Sequence, residues 1–379
     1  MRVGRFVGVL KDDLAIDFFA GVPDSYLREF CDSITNMYGV GSRHVIAENE
    51  GGAVGLAAGH FLGSSEPALV YLQNSGIGNI INPVCSLLQP YEIPALFLVG
   101  WRGEPGVKDE PQHTFQGQIT SALLDAVGIE SFVLSADTSE DEFKCSVVPR
   151  IKAAFLNGKQ FALICRKNAF ASTSKRVYKN DHPMTRERAI ELVTRKFSRD
   201  TAVVSTTGKL SRELFEVREK YGESHQSDFL TVGSMGHTSM IATGIALASP
   251  ERAIAVLDGD GSMLMHMGSL PLIPTLPTKA LKYFVFNNGA HESVGGMPTV
   301  AEELDFSALA RACQFPTFFQ AQTESELEHV LASMIESPEG PIFCEIRVNL
   351  NSRKDLGRPT ETPVQCRDKF MNFLEGEVV

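Results

Sequence analysis

Short, nearly continuous runs of aliphatic and β-branched residues punctuate the chain, and stretches with helical spacing separate them. In the first half the runs cover residues 68–73, 95–100 and 161–166; in the second they cover 201–205, 253–257, 283–287 and 342–348. Runs that are apolar at every position, rather than at alternate ones, belong to strands buried on both faces. Alternating with helices, they predict an α/β fold in which each domain is a mostly parallel sheet flanked by helices. In such sheets ligands bind beyond the carboxyl ends of the strands. The turns that follow the runs are therefore where chemistry is expected.

One stretch breaks this rhythm. Residues 167–183 (KNAFASTSKRVYKNDHP) are polar and basic, and read as a linker between two domains, 1–175 and 176–379. Thr185 then has the place of an N-cap for a helix opening at Arg186. A chain of 379 residues suits two domains, since single cores stop growing at about 250–300 residues. Both halves share the strand–helix rhythm, and no short-period repeat is visible.

Composition narrows the classes. A formal net charge of −11 argues against nucleic-acid binding. No apolar run approaches the roughly 20 residues that span a bilayer. The first residues also lack the basic, apolar and small-residue order of a secretory signal, so a cytoplasmic enzyme without membrane contact is expected. The cysteines are scattered and form no CxxC pair, which suggests neither a zinc site nor a disulfide framework.

The chemistry gathers after two of the runs. In VLDGDGSMLMH, Asp260 stands between Gly259 and Gly261, and the glycines let the backbone turn sharply and approach a ligand. The run at 283–287 ends in Asn287-Asn288-Gly289. A carboxylate and a carboxamide at neighbouring strand ends make an oxygen-only donor set, which suits Mg²⁺.

GDGS followed later by NN resembles the motif of the thiamin-diphosphate enzymes, and the likeness runs through nearly the whole chain. The resemblance implies thiamin diphosphate and Mg²⁺ as cofactors, with Asp260, Asn288 and the carbonyl of Ala290 as metal ligands. It implies that Gly259, Gly261, Ser262 and the Thr206-Thr207-Gly208 turn hold the diphosphate. In VGSMGH, Met235 has the place of the bulky residue under the bent cofactor; Gly233 offers its carbonyl to the aminopyrimidine, with Ser234 beside them. Glu50, Ala57 and Gly59 fit the family's glutamate–alanine–glycine spacing, whereas Glu48 does not, so Glu50 becomes the catalytic carboxylate on the pyrimidine ring. Asn74 joins the cofactor contacts. The halves then correspond to a pyrimidine-binding domain (1–175) and a diphosphate-binding domain (176–379), with no middle domain. Glu50 and Asp260 lie in different halves, and the resemblance implies a site shared between subunits. A homodimer is thus the minimum, with a trimer or tetramer left open.

Without a middle domain, the chain is similar to the compact members that decarboxylate pyruvates carrying an anionic group on carbon three. The 3-phosphonopyruvate branch is the closer resemblance. It is carried by residues 73–79 (QNSGIGN), 101–113 (WRGEPGVKDEPQH), 287–298 (NNGAHESVGGMP) and 352–359 (SRKDLGRP). The implied products are phosphonoacetaldehyde and carbon dioxide. The 3-sulfopyruvate branch, or another 2-oxo acid decarboxylase or ligase of the superfamily, stays open as the alternative. A phosphonate beside a carboxylate calls for cations, preferably the planar fork of arginine. Arg102, Lys108 and His113 gather in one loop and are the substrate candidates, together with His291 beside the metal motif. Loss of Arg102 is expected to harm the phosphonate substrate and spare plain pyruvate. His113 and His291 are also candidate catalytic proton donors. A dinucleotide-binding reading of Gly76-Ile77-Gly78 fails, because Ile81 stands where that fingerprint needs glycine or alanine.

Overall fold

The apolar runs become the central strands of two parallel sheets. The structure, a computed structural model, describes residues 1–171, 175–336 and 340–376; residues 172–174 of the expected linker lie outside the described residues. The chain divides into two compact units, Met1–Val177 and Tyr178–Val379.

The first unit carries β1 (Phe19–Gly21), β2 (His44–Ile46), β3 (Ala68–Gln73), β4 (Ala95–Gly100), β5 (Glu130–Leu134) and β6 (Phe161–Cys165). They form one parallel sheet in the order β2-β1-β3-β4-β6-β5. In the second unit β7 (Ala202–Ser205), β8 (Asp228–Leu230), β9 (Ile254–Gly259), β10 (Leu281–Asn287), β13 (Thr317–Ala321) and β14 (Ile342–Arg347) form another. Its order is β8-β7-β9-β10-β14-β13, again all parallel. Counted within its own unit, each sheet therefore follows the same strand order. A short antiparallel pair, β11 (Ala290–His291) and β12 (Met297–Pro298), stands apart from the main sheet.

Both faces of the central strands are covered, which is why their sequences are apolar throughout. In β10, Tyr283 and Val285 belong to one core layer, while Phe284 and Phe286 belong to the other. The strands that sequence patterning passed over are short or peripheral. Each of β1, β2 and β8 has three residues, and β5 and β13 are sheet edges with mostly half-buried side chains. Such strands supply no long apolar run.

Strand order reverses between β1 and β3, and again between β7 and β9. At such a switch the neighbouring connections leave toward opposite faces and open a crevice at the carboxyl ends. The described part of the expected linker is partly folded onto the second unit. Asn180 donates its side-chain amide to the carbonyls of Asn288 (2.9 Å) and Val348 (3.1 Å). Thr185 caps the helix Arg186–Lys196, its hydroxyl accepting from the Arg188 amide at 3.2 Å. Among the described residues no helix is long and apolar enough to cross a membrane.

Candidate active site

In the second unit the switch point brings together the turns after β7, β9 and β10. Gly259 ends β9, and Asp260 opens the short helix Asp260–Met265. The backbone of Thr206, just after β7, donates to the Leu257 carbonyl of β9 at 2.8 Å. The hydroxyl of Ser262 ties three segments together: it accepts from the Thr206 hydroxyl at 2.9 Å and from the Gly236 amide at 3.0 Å. The Thr206–Gly208 turn, the Met235 loop and the Asp260 helix thus share one hydroxyl. Gly208 has φ +90°, a conformation costly for any side chain. A Cβ on Gly261 would lie 3.1 Å from the His291 ring and 3.4 Å from the Met235 methyl. Those two side chains therefore close around the same glycine. Gly233 and Ser234 precede Met235 in this loop, with Ser234 exposed.

Asp260 is buried, and its Oδ2 accepts from the Thr299 hydroxyl at 2.6 Å. Burial pushes its carboxyl up to about 6. The two asparagines have separate tasks. Asn287 is fully enclosed, donating to Glu345 at 2.7 Å and accepting from the Gly289 amide at 3.0 Å. Asn288 accepts from the Ala290 amide at 3.1 Å and donates to Glu292 at 3.4 Å. Asp260, Asn288 and the Ala290 carbonyl could together offer an all-oxygen donor set. Among the described residues no group of three His, Cys, Asp or Glu competes as a metal site. A buried carboxylate whose ionised form is penalised by burial, beside a carboxamide and a carbonyl, fits a hard cation such as Mg²⁺. The residues present fit the group.

In the first unit, Glu50 opens the helix Glu50–Ser64, capped by Asn49, whose side chain accepts from the Gly52 amide. Glu50 is buried and accepts from the Asn79 side chain at 2.7 Å; burial raises its carboxyl. Glu48 is exposed, in keeping with the choice of Glu50. Gly76 follows β3, and a Cβ there would stand 2.3 Å from the Glu50 carboxylate. The first glycine of GIG thus makes room for Glu50.

Two of the expected site residues in this unit have internal partners. Asn74 is fully buried and donates both amide hydrogens internally, to the Arg102 carbonyl (2.8 Å) and the Thr120 hydroxyl (2.9 Å). It also accepts from the Arg102 amide at 3.2 Å. By these bonds Asn74 holds the Arg102 loop. Arg102 grips Asp109 through two nitrogens, at 2.8 and 2.5 Å, and donates its third to Ser25 at 3.0 Å. It also lies over the Tyr26 ring at 5.0 Å. The pair is mostly buried, and the guanidinium holds the Asp109 carboxyl well below the usual range. The fork expected to meet substrate is already filled by a carboxylate.

We therefore expect Arg102→Met to destabilise the protein by about 3 kcal/mol, because it strands a buried carboxylate. Turnover on different 2-oxo acids should fall in parallel. Urea unfolding followed by Trp101 fluorescence checks the first point, and Asp109→Asn in the same chain should recover part of the loss.

Lys108 is exposed in this loop. His113 is buried in the first turn of the helix Pro111–Ala126, and burial holds its ring at about 4, with nearby Arg102 adding to the effect. Burial alone holds His291 at about 4. Both rings are therefore neutral at pH 7.

Sequence reasoning passed over several groups beside these. Asp24 lies just beyond β1, fully buried, with Oδ2 accepting from the Tyr26 amide and Oδ1 without a partner among the described residues. Burial pushes it up to about 6. Asp258 accepts from the Tyr283 hydroxyl at 2.8 Å. Thr299 and Glu292 touch the metal-loop residues. The position of Asp24 after the first apolar segment was a usable signal, as was that of Glu292 directly after His291, whereas Thr299 reaches Asp260 only through folding.

Comparison with known proteins agrees with both halves of this arrangement. Residues 2–126 match the thiamine pyrophosphate enzyme N-terminal TPP binding domain, and residues 206–346 match the C-terminal TPP binding domain. A phosphonopyruvate decarboxylase of Streptomyces viridochromogenes is 34% identical over 376 residues, covering 95% of this chain and 92% of the relative. One from Streptomyces hygroscopicus is 33% identical, covering 95% and 91%. A sulfopyruvate decarboxylase of Methanosarcina acetivorans is 28% identical, covering 82% and 81%. The chain belongs to the thiamin-diphosphate-dependent enzymes, in the family of the phosphonopyruvate decarboxylases.

Proposed function

We propose that this enzyme converts 3-phosphonopyruvate to phosphonoacetaldehyde and carbon dioxide, using thiamin diphosphate and Mg²⁺. One observation carries the choice of substrate. The two phosphonopyruvate decarboxylases match 95% of the chain at 34% and 33% identity, whereas the sulfopyruvate decarboxylase matches 82% at 28%.

When bound, thiamin diphosphate supplies the electron sink for the breaking carbon–carbon bond. We assign the first unit to the pyrimidine and the second to the diphosphate. Asp260, Asn288 and the Ala290 carbonyl hold Mg²⁺. Gly259, Gly261, Ser262 and the Thr206–Gly208 turn receive the diphosphate. Met235, Gly233 and Ser234 support the organic part of the cofactor. Glu50 holds a proton at the aminopyrimidine, and its raised carboxyl pKa suits a group that shares a proton with a ring nitrogen.

The proton that completes the product has three candidate donors. His113 and His291 are neutral at pH 7, so neither brings an imidazolium proton. Asp24, held at about 6, is closer to the pKa that acid catalysis at neutral pH favours. Lys108 is the remaining cation of its loop for the substrate's anionic end.

A homodimer or larger homo-oligomer is part of this reading, as is a cytoplasmic location. The helices Glu50–Ser64 and Thr238–Ala248 expose Leu56, Leu62 and Leu247, and helices so apolar are normally covered.

Steady-state kinetics on 3-phosphonopyruvate, 3-sulfopyruvate and pyruvate test the substrate. We expect kcat/KM to be highest for 3-phosphonopyruvate by at least about tenfold, a difference of about 1.4 kcal/mol in transition-state binding. Equal or better use of 3-sulfopyruvate would overturn the assignment.

A further inference from the structure

We infer that Glu292 is a positioning residue that couples the metal loop to the diphosphate turn; this rests on the proposed metal site. Glu292 follows His291 in the turn between β11 and β12, and its carboxylate is about nine-tenths buried, with 10% side-chain exposure. Four segments converge on it. Arg186, from the start of its helix, reaches Oε2 at 2.8 Å. Lys209, directly after Gly208, stands 3.5 Å from Oε1. Ser352 donates to Oε1 through its amide at 3.1 Å and its hydroxyl at 2.6 Å. Asn288 donates its side-chain NH₂ to Oε2 at 3.4 Å.

Two physical consequences follow. A carboxamide has one acceptor end and one donor end, and only the oxygen can bind a cation. Donation from Nδ2 to Glu292, with Oδ1 accepting from the Ala290 amide, selects one orientation of Asn288. A flip would set NH₂ against an amide donor and lose the Glu292 bond.

The second consequence concerns charge. Arg186 also pairs with Glu213, at 2.6 and 2.9 Å, so Arg186, Lys209, Glu213 and Glu292 together balance to zero. Removing the Glu292 charge leaves one net positive charge beside the metal ligands and the diphosphate turn. That charge repels Mg²⁺ and attracts diphosphate, so the two affinities should move apart. A side chain that served only to hold the fold would lower both.

Isothermal titration separates these outcomes. With saturating thiamin diphosphate, Glu292→Gln should weaken Mg²⁺ binding about 10–100-fold, the usual loss for an outer-shell partner. Binding of inorganic diphosphate to the metal-free protein should stay unchanged or tighten. Glu292→Asp keeps the charge but shortens the reach to Asn288, and serves if the glutamine variant fails to fold. It should weaken Mg²⁺ by at least about threefold and leave diphosphate binding unchanged. Mg²⁺ affinity within twofold of wild type in the variant tested, or a parallel fall in both affinities, would overturn the inference. A wild-type protein that binds no Mg²⁺ beside thiamin diphosphate would overturn the metal-site reading itself.

Discussion

Glu50→Gln is expected to lower turnover by about three orders of magnitude while thiamin diphosphate still binds. Glutamine keeps the shape of Glu50, so it should fit beside Gly76 and keep its contact with Asn79. It cannot give or take the proton that a carboxyl exchanges with a ring nitrogen, and positioned proton transfer contributes about 10²–10⁴-fold. The effect should fall on kcat, with cofactor affinity changed by less than about tenfold, since the residues proposed to hold the metal and diphosphate belong to the other unit. Stopped-flow turnover and cofactor titration on the same preparation check both halves. A variant with wild-type kcat would remove Glu50 from the chemistry.

The second large effect is expected at Asp260. Asp260→Asn should lose Mg²⁺-dependent cofactor binding by at least about a hundredfold, more than the usual outer-shell loss, and activity with it. The cofactor-free protein should respond in the opposite direction. Burial raises this carboxyl from 3.8 to about 6, so at pH 7 the ionised form costs the fold about 2–3 kcal/mol, at 1.36 kcal/mol per pKa unit. Asparagine removes that cost. The cofactor-free variant should therefore be more stable than the cofactor-free wild type at pH 7. The gap should narrow as pH falls through 6 and close only below 3.8, where Asp260 is protonated in both states. Thermal unfolding across this range reads the effect directly. A cofactor-free variant that is less stable than wild type at pH 7 would show that the carboxylate is compensated within the protein.

Much of this architecture was legible in the residue pattern because buried parallel strands leave continuous apolar runs. The runs at 68–73 and 95–100 coincide with β3 and β4. The strand order common to both sheets was not legible, because it depends on β1, β2, β5, β8 and β13. Those strands are too short or too exposed to stand out.

At the site, GDGS and NN were readable as the motif of a family, which the two domain matches bear out. The internal partner of Arg102 was overlooked for a local reason. Asp109 sits in the same loop, and a cation with a carboxylate so near was open to internal pairing. Asn74 was named only through the family resemblance, and a fully buried carboxamide must first satisfy its own hydrogen bonds. The contacts of Thr299 with Asp260, and of Glu292 with Arg186 and Ser352, join distant stretches of chain, so no local pattern announces them.

The most direct test is carbon dioxide release from 3-phosphonopyruvate by the purified protein, with thiamin diphosphate and Mg²⁺ omitted singly and together. We expect stoichiometric carbon dioxide and phosphonoacetaldehyde only when both are present. Release that persists without thiamin diphosphate, or no release with both supplied, would contradict it.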